Sequence, residues 1–210
     1  MTVPRVPRLF NLLAVLALAL TVMIALGGCS AMLAQNPSSA LKPVKAVAMD
    51  GDDHVMLWGH DVVAYFTLGR HALGSAQIKS VYEGVTFRFA NAEHKALFDK
   101  EPLKYMPQYG GFCAGGIAYA IPWGGDADTF RIVGGRLFMF GGKGSRDAFE
   151  LDTPGNIKLA DAYWKNEVAG SNSFVQRSWR LVFRVPHYKS DAQLAADVAA
   201  ARAAPKVGAK

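Results

Sequence analysis

Cysteine, charge and metal-ligand motifs are all scarce in this chain. Of its 210 residues only Cys29 and Cys113 are cysteine, too few for a disulfide scaffold. No Cys-x-x-Cys occurs, which removes the zinc ribbon and the thioredoxin-type redox motif. Charged residues make up 19%, and the stretch from Gln108 to Gly125 contains none. Gly110-Gly111 and Gly115-Gly116 lack the Lys-Ser/Thr of a phosphate loop, so nucleotide binding is excluded. Asp126 and Asp128 have too few oxygen ligands after them for an EF-hand. Paired glycosidase carboxylates and a serine nucleophile elbow are absent, and no internal repeat is found. Apolar residues, in contrast, reach 51%, with 12 Phe, 7 Tyr and 4 Trp. That composition belongs to a folded body, and the length suits one globular domain with extensions.

Arg5 and Arg8 precede an apolar run from Leu12 to Leu26 whose only polar member is Thr21. The run is short for a membrane span of about 20 residues and has the form of an export signal. It ends in Leu26-Gly27-Gly28-Cys29, which resembles a bacterial lipobox. The resemblance implies cleavage after residue 28, a diacylglycerol thioether on Cys29, and membrane attachment through it. Ser30, with no acid beside the cysteine, resembles the sorting pattern for an outer membrane facing the periplasm. Residues 29–52 form a tether, 53–168 the domain, and 169–210 an Ala-rich basic extension. From Arg177 onward there are seven basic and two acidic residues, while the body is near neutral. An exported protein does not meet nucleic acid, so an anionic envelope surface is the partner expected for the tail.

Within the domain, Val85, Phe87 and Phe89 alternate with Thr86 and Arg88 after Glu83-Gly84, which predicts a hairpin. Asn91 caps a helix over Ala92–Lys100 that turns His94 inward with Leu97 and Phe98. A second hairpin turns at Gly134-Gly135, with Ile132 facing Leu137 and Phe130 facing Met139. Asp152-Thr153-Pro154 opens a helix with Ile157, Ala160, Trp164 and Val168 on one stripe. Phe174 to Tyr188 is expected to be strand-like, and Asp191 to Ala204 helical.

Several blocks together carry a family resemblance: Gly59-His60-Asp61-Val62-Val63-Ala64-Tyr65-Phe66, Phe87-Arg88-Phe89-Ala90, Tyr109-Gly110-Gly111-Phe112-Cys113-Ala114 and Gly135-Arg136-Leu137-Phe138. From about Val55 to Trp164 the chain resembles the exported YHS-domain (seleno)protein family. The resemblance implies a small α+β domain of antiparallel hairpins packed on short helices, and kinship with metal-binding YHS modules. Those modules carry two cysteines at the strand-to-helix step, where this chain has Ala90 and His94. A soft-metal site for copper or zinc would therefore use Cys113 and His94, with His60 or Asp61 completing it. Selenocysteine in some relatives implies instead a single-thiol redox role for Cys113. His94 as a hydrogen-bonded core residue, Cys113 as an inert buried thiol, and a non-catalytic anchored interaction module are the remaining readings.

Overall fold

The computed structural model describes residues 43, 44 and 46–204. The chain divides into two units, 1–35 and 36–210, and every described residue belongs to the second. The expected export signal, Cys29 and most of the expected tether lie outside the described residues. The chain enters as strands β1 (Pro43–Val44), β2 (Val47–Met49) and β3 (Asp52–Val55), so the stretch 43–52, assigned to the tether, ends in sheet.

Leu57, Trp58 and Gly59 then turn through φ of 50°, 53° and 78° into the short helix α1 (Ala64–Thr67). The first expected hairpin follows, β4 (Ser75–Tyr82) and β5 (Val85–Phe89), and leads into α2 (Ala92–Lys100), whose His94 amide donates to the Asn91 side chain at 2.8 Å. After α3 (Pro102–Tyr105) the sequence of events starts again. Tyr109, Gly110 and Gly111 turn through φ of 56°, 61° and 82° into α4 (Ala114–Ile117). The second hairpin, β6 (Gly125–Val133) and β7 (Arg136–Phe140), leads into α5 (Lys143–Phe149). Ile132 does face Leu137, and Phe130 does face Met139. The positive φ of Gly134 and Gly135, 56° and 76°, is what a type I′ turn requires.

The two passages are copies of one unit, which corrects the expectation that the chain has no internal repeat. The β4–β5 pairs Lys79↔Arg88, Ser80↔Phe87, Val81↔Thr86 and Tyr82↔Val85 return in order as Phe130↔Met139, Arg131↔Phe138, Ile132↔Leu137 and Val133↔Arg136. The irregularity between Ser75 and Lys79 returns between Asp126 and Phe130. The parallel contact Val55↔Thr86 returns as Pro107↔Leu137, and the bridge His60↔Leu73 as Phe112↔Gly124. Asp61 N–H donates to Ala72 O at 2.9 Å, as Cys113 N–H does to Trp123 O at 2.8 Å.

Few matched positions share a residue, and those that do have a physical reason. A Cβ on Gly74 would sit 2.4 Å from the Arg88 backbone, and one on its counterpart Gly125 would sit 2.7 Å from Met139 Cβ. The phenylalanine pairs Phe87/Phe138, Phe89/Phe140 and Phe98/Phe149 are buried in both copies. Between these positions the residues differ, so similarity along the chain stays below what inspection detects.

Two sheets result, ordered β2-β3-β5-β4 and β1-β6-β7, with antiparallel neighbours except the parallel β3–β5 contact. One core gathers Leu57, Val63, Tyr65, Phe87, Phe89 and Phe98, and the other Tyr109, Ile117, Phe138, Phe140 and Phe149. The architecture is α+β, as expected. Helix α6 (Thr153–Tyr163) begins at Asp152, whose carboxylate accepts from Gly155 N–H, and places Ala160 in the second core. Beyond Val168, the expected strand-like run 174–188 is instead helix α7 (Ser173–Val182) followed by a loop, and α8 (Asp191–Ala203) matches the Ala-rich helix. Arg177, Arg180 and Arg184 recur at steps of three and four, a helical period that the apolar content of the segment masked.

Candidate functional site

Asp61 stands where the left-handed turn enters α1 and is fully buried. Its Oδ1 accepts from Val63 N–H at 2.9 Å and Ala64 N–H at 3.3 Å, and its Oδ2 from Ala90 N–H at 2.8 Å. His94, also buried, completes the set: its Nδ1 donates to Asp61 Oδ2 at 2.6 Å, the carboxylate serving as acceptor here as it does to the three backbone N–H groups. The other ring nitrogen, Nε2, lies 3.0 Å from Thr67 Oγ1. One carboxylate thus joins the start of α1, the end of β5 and the first turn of α2. His60 points elsewhere, its Nδ1 donating to Leu57 O at 2.8 Å with its ring 5.8 Å from that of His71. Burial pushes its pKa below the ordinary 6.5, although the Leu57 carbonyl works in the opposite direction.

Cys113 occupies in the second copy the position of Asp61 in the first, and Ser145 that of His94. The buried Cys113 Sγ lies 3.1 Å from Ser145 Oγ, so the two pairs answer each other. Glycines permit this approach. A Cβ on Gly115 would lie 2.6 Å from Ser145 Oγ, and one on Gly141 would lie 3.8 Å from Cys113 Sγ and 3.1 Å from Gly124 O. The Tyr109-Gly110-Gly111 turn ahead of Cys113 is fastened to α6. Tyr109 Oη donates to Asp161 Oδ1 at 2.8 Å, and Arg136 donates to both Asp161 oxygens at 2.9 and 2.6 Å. The Arg136 hydrogen bonds hold Asp161 below the usual carboxylate range, and burial beside Asp161 pushes the Tyr109 phenol up.

The ligand set expected from the sequence is therefore divided between copies. Asp61 and His94 meet, but His94 and Cys113 make no polar contact; each pairs within its own half. Among the described residues no three His, Cys, Asp or Glu side chains converge on a point that would hold a metal ion. The physical reason is the duplication, which sets the Asp61 and Cys113 positions in equivalent but separate surroundings. Cys29 lies outside the described residues.

The basic tail packs partly against the body. Arg177 is buried over Trp123 at 4.9 Å and donates to Pro122 O at 3.3 Å. Arg180 pairs with Glu167, Lys189 with Asp197 and Arg202 with Asp147. His187 lies between the rings of Tyr119 and Tyr163 and donates from Nε2 to Ala118 O at 2.9 Å. Beside it is a half-open cleft of about 240 Å³ lined by Tyr119, Asn156, His187 and Asp197. Among the described residues of the tail, Arg177 and Arg180 are engaged with the body, Lys189 and Arg202 pair at the surface, and Arg184 is exposed over Tyr188. The apolar side chains Phe174, Val175, Trp179 and Val182 on α7 are all exposed, as is Phe183 just past its end. The strand assignment hid this face; the same three-and-four spacing in the sequence would have found it.

No protein-family model, curated protein or solved structure matches the chain. Among the described residues no helix is long and apolar enough to cross a membrane.

Proposed function

We infer that the protein is an envelope lipoprotein, anchored through Cys29, whose YHS-like domain acts as a binding module at the membrane and not as an enzyme. The observation that carries this reading is the orientation of α7. An amphipathic helix ordinarily buries its apolar side, yet here Gln176, Arg177 and Arg180 face the body while aromatic and aliphatic side chains face out. A contiguous exposed apolar patch of this kind marks an interaction surface. The hydrogen-bonded pairs Asp61–His94 and Cys113–Ser145 support the same reading, because side chains engaged with each other serve as clamps between elements.

A thiol role for Cys113 is the second reading, favoured by the Ser145 hydroxyl beside Sγ. Two measurements on the full chain separate the readings. Cys29→Ser is expected to lower the share of the protein in the membrane fraction without lowering its melting temperature; unchanged partitioning contradicts the anchor. Cys113 is expected to react with a disulfide reagent only after denaturation, and rapid reaction of the native thiol would favour redox chemistry instead.

A further inference from the structure

We propose that α7 lies in the plane of the bilayer surface, with its outward face in the lipid interface. This rests on the anchored binding-module reading and names its partner. Val182 is 72% exposed, Val175 62%, Trp179 54%, Phe183 52% and Phe174 48%. On a 100° wheel the four within α7 fall on one side of the helix, and Phe183, the first residue past its end, places its ring centroid 4.0 Å from that of Trp179. Trp and Phe on one side with Arg on the other is the composition of an interfacial helix. Arg184, exposed and stacked over Tyr188 at 4.5 Å, sits just beyond the helix end as a group for the headgroup layer.

Two further facts select lipid over a second copy of the chain. The face belongs to one ten-residue helix. At about 15 Å long and 10 Å wide it offers a few hundred Å² at most, well below the roughly 800 Å² per partner of a stable interface. The chain between Cys29 and β1 can extend no more than about 50 Å, so a domain anchored there is held within reach of the bilayer. Because Arg177 and Arg180 are engaged with the body, the contact is mainly apolar. It therefore responds weakly to salt and does not require anionic lipid, unlike the charge-driven contact expected from the composition of the tail.

The test uses the full chain, acylated at Cys29, reconstituted in zwitterionic vesicles containing phospholipid brominated on its acyl chains. Trp179 fluorescence is expected to be quenched, the quenching to be absent in Trp179→Phe, and about 1 M salt to leave it unchanged. In the Cys29→Ser background, Val175→Asp with Val182→Asp is expected to lower vesicle partitioning by about tenfold or more, without changing the melting temperature of a protein in which both positions are exposed. Absent quenching with a concentration-dependent dimer that the double substitution abolishes would overturn the lipid assignment and leave the binding surface standing. Trp179 shielded from a water-soluble quencher without vesicles would mean that the chain covers its own face, and would also overturn it. No quenching, no dimer and an accessible Trp179 would overturn both this proposal and the binding-module reading.

Discussion

Asp61 shows how much of this fold one buried carboxylate holds. It accepts four hydrogen bonds from three elements, and in the interior each lost partner leaves a group desolvated without compensation. In Asp61→Ala those donors would be buried without a partner, at about 1–3 kcal/mol for each. Asp61→Ala is therefore expected to destabilise the domain by at least that amount, measured by urea unfolding, and His94→Ala to be strongly coupled to it in a double-mutant cycle. Additive effects of the two substitutions would remove the clamp. Cys113 and Ser145 form the same link through a single contact, so Ser145→Ala should cost less than His94→Ala.

At the scale of elements, the hairpins and α2 were legible because their signals are local. Glu83-Gly84 and Gly134-Gly135 specify turns, alternation specifies faces, and Asn91 specifies a helix start. The duplication was not legible, since its repeat lies in backbone registers that only a few glycines and phenylalanines record. The separation of the expected ligands has the same origin: His94 and Cys113 look like two ligands in one chain but belong to different copies. Helix α7 was misassigned because exposed aromatic and β-branched residues resemble a strand, and the polar side that docks it carries arginines. Arg177 is the pin of that docking, between Trp123 and Pro122 O. Arg177→Ala is expected to expose the α7 segment to limited proteolysis while the hairpins stay protected; unchanged cleavage would show that the helix is held by other contacts.

Across the whole molecule, acid is expected to weaken the fold in two stages. Burial lowers the His60 pKa below its ordinary 6.5, so the unfolded chain binds the proton first, and stability falls as pH drops from about 6.5 toward the folded value. Asp161, held low by Arg136, and Asp147, held low by Arg146 and Arg202 against the effect of burial, contribute stability that is present above the usual carboxylate range and lost as pH falls through their folded values. Urea midpoints followed from neutral to acid pH should show both declines, and His60→Gln should flatten the first alone. A midpoint in His60→Gln that still falls between pH of about 6.5 and 5 would assign that stage to another group.

In the function proposed above, polar side chains inside the two copies join elements to each other and the outer face of α7 does the binding. Copper and zinc titration of the purified full chain, alongside His94→Ala and Cys113→Ala, tests this most directly. No stoichiometric metal is expected on any of the three proteins, with a lowered melting temperature in both variants. One equivalent of tightly bound copper or zinc, weakened by a similar large factor in each variant, would contradict it.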